Sequence, residues 1–267
     1  MVTLQDIQSA ARCIRDSIYL SPCARSETFS QTTANQVYLK LDNLQRTGSF
    51  KERGALNKLL SLSAEERSRG VIAASAGNHA QGVAYHAGKL GVRAQICMPL
   101  TTPLIKVSAT RGYGADVVLQ GANYDEACEE AIRRSQEGNL TFIHPFDDDV
   151  VIAGQGTIGL ELIEQHPDLE AVIVPIGGGG LIGGIACAVK ESNAKIQVFG
   201  VQTSRLPSMK VAVAEGKPVT LNAASTIKNA AHTAATPPDR PSMLSSKLSA
   251  LVRPTTHTNV TRMLSHG

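Results

Sequence analysis

The sequence has no Cys-x-x-Cys pair. Its five cysteines, Cys13, Cys23, Cys97, Cys128 and Cys187, are odd in number and unpatterned. That spacing argues against a disulfide frame or a zinc site and fits reduced thiols in the cytoplasm. Tryptophan is absent, aromatics make up 4% of the chain, and no Phe, Tyr or Trp follows Phe199. From Pro218 onward Ser, Thr, Pro, Ala and Asn dominate. Such a composition buries little surface, so residues 228–267 are expected to form a divergent, poorly ordered tail.

Charge of one sign is also scarce in the body. The net charge is +3, yet residues 1–217 hold 21 basic and 22 acidic side chains, and the surplus comes from the last fifty residues. A basic patch for nucleic acid is therefore not expected. The first twenty residues carry both charge signs in a short amphipathic pattern, unlike a signal peptide. One uncharged stretch of 19 residues, Ala171 to Val189, is long enough for a membrane span. Its six glycines and Pro175 make it a poor helix in lipid, and no membrane span is expected.

What is present is an alternation of Val/Ile-rich runs with helical patterns. The expected strands are 37–41, 71–74, 94–98, 116–119, 140–143, 171–176 and 197–201. The expected helices are 51–62, 79–90, 104–111, 124–136, 157–165 and 181–190. This order predicts an α/β protein with parallel sheets and ligands at the carboxyl ends of strands.

Three segments carry the chemistry. In Thr47-Gly48-Ser49-Phe50-Lys51-Glu52-Arg53-Gly54-Ala55 a glycine turn opens a helix, with Ser49 the expected N-cap and Lys51 in the first turn. The positive end of a helix dipole favours the neutral, nucleophilic amine over the ammonium. A solvated surface lysine is the competing reading. In Ser75-Ala76-Gly77-Asn78-His79-Ala80-Gln81-Gly82 small residues let backbone amides approach an anion at a helix N-terminus. Ser75 and Asn78 add side-chain donors suited to a carboxylate. Asn78 could serve only as a cap, and His79 could be either a base or a structural histidine.

In Gly177-Gly178-Gly179-Gly180-Leu181 a glycine run between strand and helix suits a phosphate. Gly178, Gly180 and Gly183 also fit a dinucleotide fingerprint. That reading needs an acid at the end of the next strand, which ends in Gln202, with no acid between Glu191 and Glu215.

Taken together, S-F-K-x-R-G-A, S-A-G-N-H-A-Q-G and G-G-G-G-L resemble the pyridoxal-phosphate (PLP) dependent threonine/serine dehydratases, of the tryptophan-synthase-β-like fold (fold type II). Asn43-Leu44-Gln45-Arg46-Thr47-Gly48 and Ala153-Gly154-Gln155-Gly156-Thr157 match that family as well. The resemblance implies two doubly wound parallel-sheet lobes, a large one from 1–45 and 148–227 and a small one from 46–147. It implies β-elimination of L-threonine or L-serine to a 2-oxo acid and ammonia. Lys51 would carry PLP as a Schiff base and take the Cα proton, with Phe50 against the ring and Asn78 on the 3-hydroxyl. Gly177, Gly178, Gly179, Gly180 and Leu181 would bind the phosphate. Ser75, Asn78 and His79 would bind the substrate carboxylate. A homo-oligomer is implied where the full fold forms.

Two positions discriminate among relatives. Related serine racemases place a proton-carrying serine where this chain has Ala76, which favours a dehydratase. Metal-dependent relatives place a carboxylate where this chain has Gln202, so no metal is expected. After Ala224-Ser225-Thr226-Ile227 the family pattern stops. Its S-G-G-N-like loop, which supports the pyridine nitrogen, has no counterpart, so the C-terminal part of the large lobe is expected to be missing. A frameshift or aberrant splice would produce such a break, leaving an inactive remnant or binding module as the rival to an enzyme.

Overall fold

The computed structural model describes residues 1–217, 219, 221, 253 and 254. Along the chain run helix α1 (Leu4–Ile14), strand β1 (Cys23–Arg25), α2 (Glu27–Thr33), β2 (Tyr38–Lys40), α3 (Lys51–Ser61) and α4 (Ala64–Arg69). They are followed by β3 (Val71–Ala74), α5 (Asn78–Lys89), β4 (Ala94–Met98), α6 (Leu104–Gly112), β5 (Asp116–Leu119), α7 (Tyr124–Glu137) and β6 (Thr141–Phe142). The last elements are α8 (Asp149–Gln165), β7 (Ala171–Pro175), α9 (Gly180–Ser192), β8 (Gln197–Val201), α10 (Ser208–Glu215) and β9 (Arg253–Pro254). The expected disorder of 228–267 falls outside the described residues, apart from the β9 backbone. No described helix is long and apolar enough to cross a membrane.

The chain divides into two compact units. The first comprises Met1–Gln5, Leu20–Asp42 and the residues from Gly156 on; the second comprises Asp6–Tyr19 and Asn43–Gln155. These units divide the chain at 42/43 and 155/156 and give Asp6–Tyr19 to the second.

The second unit is built on a four-stranded parallel sheet in the order β5-β4-β3-β6. Period-two alternation sends Val71 and Ala73 to one face and Ile72 and Ala74 to the other. One face packs Leu59 of α3 and Val83 and Ala87 of α5, and the opposite face packs Ala131 of α7. With both faces covered, the strands read as continuous apolar runs, which is why they were visible in the sequence. The chain steps outward from β3 to β5 and then returns to β6 on the other side of β3. That reversal opens a crevice at the carboxyl ends of β3 and β6.

Two glycines set how closely the helices of this unit approach. A Cβ on Gly54 of α3 would sit 2.6 Å from the Val151 carbonyl oxygen, and one on Gly154 of α8 would sit 2.6 Å from the Gly54 Cα. Gly154 therefore lies inside a helix rather than ending one, and α8 begins at Asp149, eight residues before the expected Thr157.

The first unit holds a parallel sheet in the order β7-β8-β9 and an antiparallel pair, β1 and β2. β2 was expected, but its antiparallel partner was not. Val172, Val174, Val198 and Gly200 face inward, and a Cβ on Gly200 would lie 2.8 Å from Ile182 of α9. On the other side of β7 and β8, Ile173 and Val201 stay exposed.

Candidate active site

Lys51 is placed by three local devices. Gly48, at φ +75°, makes the turn that donates its N–H to the Gln45 carbonyl. Glu52, fully buried, then accepts the Thr47 N–H through Oε2 at 2.9 Å and ties that turn to the helix. Phe50, not Ser49, is the N-cap of α3, and it makes no side-chain cap bond. Ser49 Oγ reaches only the Lys51 N–H, at 3.4 Å. Phe50 has helical dihedrals of its own, and the Ser49 side chain, one residue earlier, keeps only this long contact as a cap.

The Lys51 side chain reaches the loop after β6. Its Nζ donates to the Pro145 carbonyl oxygen at 2.7 Å. The rings of Phe50 and Phe146 lie 5.5 and 6.0 Å from Nζ. The residue as a whole keeps some surface in solvent, while desolvation of the amine lowers its pKa to about 8. A lysine in that state supplies a sizeable neutral, nucleophilic fraction near neutral pH.

The loop after β3 forms the other wall of the crevice. Ser75 is buried; its N–H donates to the Cys97 carbonyl at 3.1 Å and its Oγ accepts the Gly77 N–H at 3.2 Å. The hydroxyl proton of Ser75 is not used by that contact. Gly77, not Asn78, caps α5, again without a side-chain bond, and Asn78 is the exposed first residue of the helix. The first N–H groups of α5 thus open toward the crevice. His79 is buried, and its Nε2 lies 3.0 Å from the Ile143 carbonyl oxygen. Its ring is committed to the backbone leaving β6.

In the first unit the glycine run follows β7, where the Ile176 N–H donates to the Val201 carbonyl at 2.7 Å. Gly179 caps α9 in the left-handed region, at φ +92°, without any side-chain bond. The turn lets the leading amides of α9 point outward from a helix N-terminus, the donor set of a phosphate cradle. Gln202 has another task. Its Oε1 accepts the N–H groups of Met209 and Lys210 at 3.1 and 3.3 Å, capping α10. Among the described residues no cluster of His, Cys, Asp or Glu has the arrangement of a metal site.

Each donor set has its own chemistry: the neutral amine of Lys51 suits an aldehyde, and the amides at the glycine run suit a phosphate. The family model for "pyridoxal-phosphate dependent enzyme" matches residues 14–253. The chain belongs to that family. It is 51% identical over 217 residues to an L-threonine ammonia-lyase of Thermotoga maritima, covering 81% of this chain and 54% of the relative. It therefore spans about half the length of that relative. Among solved structures it resembles the processed form of threonine deaminase isoform 2 from Solanum lycopersicum, with TM-score 0.87 and 39% identity over 95% of this chain and 69% of that one. It also resembles a serine racemase from Dictyostelium discoideum, with TM-score 0.77 and 38% identity over 80% and 70% of the two chains.

The sequence motifs led to Lys51, Ser75 and the glycine run, but not to Pro145 or His144. Pro145 contributes a backbone carbonyl, which leaves no side-chain signature. The available signal was position: His144-Pro145-Phe146-Asp147-Asp148 directly follows a strand of a parallel sheet, where ligand loops gather.

Proposed function

We propose that the chain belongs to the elimination branch of its family, converting L-threonine and L-serine to a 2-oxo acid and ammonia. The observation that carries this reading is the Lys51 amine, desolvated and held by a neutral carbonyl at the carboxyl ends of β3 and β6. PLP, when bound, supplies an electron sink for negative charge developing at the substrate Cα.

The side chains then divide the work. Lys51 would hold the cofactor through its aldehyde and, once released, take the Cα proton. Phe50 would pack against the cofactor ring, Asn78 would donate to its 3-hydroxyl, and the amides of Gly177, Gly178, Gly179, Gly180 and Leu181 would hold its phosphate. Ser75, Asn78 and the N-terminus of α5 receive the substrate carboxylate, with His79 fixing the start of that helix. Loss of the Cα proton and the β-hydroxyl releases water. The enamine so produced takes up water again and yields the 2-oxo acid and ammonia.

Ala76 bears on the choice between relatives. A methyl group carries no proton, so the face opposite Lys51 lacks the donor that racemisation needs, despite the likeness to a serine racemase. The five cysteines form no disulfide, which suits the cytoplasm, and a homo-oligomer is the assembly we propose.

The test is a 2-oxo acid assay on purified protein with PLP and L-threonine or L-serine. Formation of 2-oxobutanoate and pyruvate supports the reading. Formation of D-serine without oxo acid supports racemisation, and neither product supports an inactive remnant.

A further inference from the structure

His144 takes no part in the motifs or in the reaction described above. Its Nδ1 accepts the Asp147 N–H at 2.7 Å and the Phe146 N–H at 3.3 Å. Its ring stands edge-on to Phe146 at 4.8 Å and 84°, and to Phe142 at 6.1 Å and 62°. Accepting two N–H groups requires an unprotonated Nδ1, so the ring is neutral with its proton on Nε2. Burial chiefly, and the Lys51 charge in addition, lower its pKa to about 4 against the opposing pull of Asp148. Asp148 itself pairs with Lys58 of α3 at 2.7 Å, and Asp147 and Asp149 lie in the same loop. From α5, His79 faces this segment through the Ile143 carbonyl.

The two bonds to Nδ1 close the chain from 144 to 147 into a turn. Pro145 sits inside it, with no N–H of its own and a ring that holds the preceding residue extended. Its carbonyl is the group that accepts from Lys51.

We propose that His144 is a positioning residue for Lys51: its ring fixes the 144–147 turn, and the turn fixes the Pro145 carbonyl that holds the amine. The inference rests on Lys51 being the cofactor's lysine, yet the contact it explains exists without cofactor. A carbonyl suits the task. It accepts an N–H from either the amine or the ammonium, whereas a carboxylate in its place would lock the lysine in the charged form. One N–H is committed to Pro145, and the nitrogen lone pair gains a defined direction.

The test compares two amides that mimic different ring nitrogens. In the full chain, freed of cofactor, His144→Asn puts an acceptor near the Nδ1 position, and Asx side chains accept N–H groups two residues on. His144→Gln puts its acceptor near Nε2, out of reach of the turn. Trace acetylation of Lys51 across pH, quantified by mass spectrometry of its peptide, reads the lysine's midpoint and reactivity without turnover. The wild-type midpoint is expected near 8. The Asn variant should keep it, while the Gln variant should move it up by about one pH unit, cutting the neutral fraction about tenfold at pH 7. Equal behaviour of the two variants, whether in midpoint or in loss of fold, overturns the proposal. Failure of the oxo acid assay with this difference intact would sink only the reaction assigned above.

Discussion

Lys51 Nζ lies 2.7 Å from the carbonyl oxygen of Pro145, a residue 94 positions further along the chain. The contact joins the head of α3 to the loop after β6. It leaves the amine polar-partnered but without an opposite charge, so desolvation sets its pKa, at about 8.

A buried ammonium is a stability defect that function retains. The folded-state pKa is below the ordinary lysine value, so the unfolded chain holds the extra proton between about 8 and 10.5. The penalty is present below pH 8 and fades as pH rises through that window. Lys51→Met should therefore stabilise the cofactor-free protein at pH 7 by about 1–2 kcal/mol, less than the full shift implies because the residue is partly hydrated. Urea unfolding of both proteins at pH 7 checks this; a destabilised variant would contradict it. The same variant should have no oxo acid production.

Acid should weaken the second unit in a defined window. His86 is 2% exposed, and burial lowers its pKa to about 4. Its Nε2 has no hydrogen-bond partner among the described residues to reward protonation. Between pH 6.5 and about 4 the unfolded chain binds a proton that the folded one refuses, so stability falls as pH falls and levels off below. The loss is about 3 kcal/mol for His86, and His144, also lowered to about 4, adds in the same range. Unfolding free energies at pH 7 and 4.5 should differ less in His86→Gln than in wild type. An equal difference would remove His86 from the explanation.

Gly54→Ala should destabilise by about 1–3 kcal/mol through overpacking. The new Cβ would meet Gln155 Nε2 at 2.5 Å as well as the Val151 carbonyl. A melting temperature within a degree of wild type would show that α3 and α8 can separate freely.

Gly179→Asp should weaken PLP binding about tenfold or more. The position has φ +92°, which disfavours any side chain, and a carboxylate would oppose a phosphate. Fluorescence titration of the cofactor-free variant measures the effect. Unchanged affinity would refute the glycine assignment.

Much of this was legible in the chain. Strands β3, β4, β5 and β8 stand at the residues their Val/Ile runs indicated; in β3 and β4, covered on both faces, the packing itself demands that apolar run. Cys23–Arg25 carries no such run and became a strand only by pairing with β2. The start of α8 was hidden by Gly154 and Gly156, which look like breakers in isolation, yet Gly154 serves close packing in the fold. Among the candidate residues, Lys51 and the glycines stood out in the sequence because their chemistry lies in residue type. The Pro145 carbonyl was not, since every residue has one and only the β3–β6 neighbourhood aims it. The same holds for Gln202, whose role as a cap appears only once α10 is placed beside it.

The identity of the reactive lysine is decided most directly by adding PLP, reducing with borohydride and mapping the modified peptide by mass spectrometry. A phosphopyridoxyl group on Lys51, lost in Lys51→Met, is the result expected. Stoichiometric label on any other lysine, or none at all with PLP bound, would contradict the account.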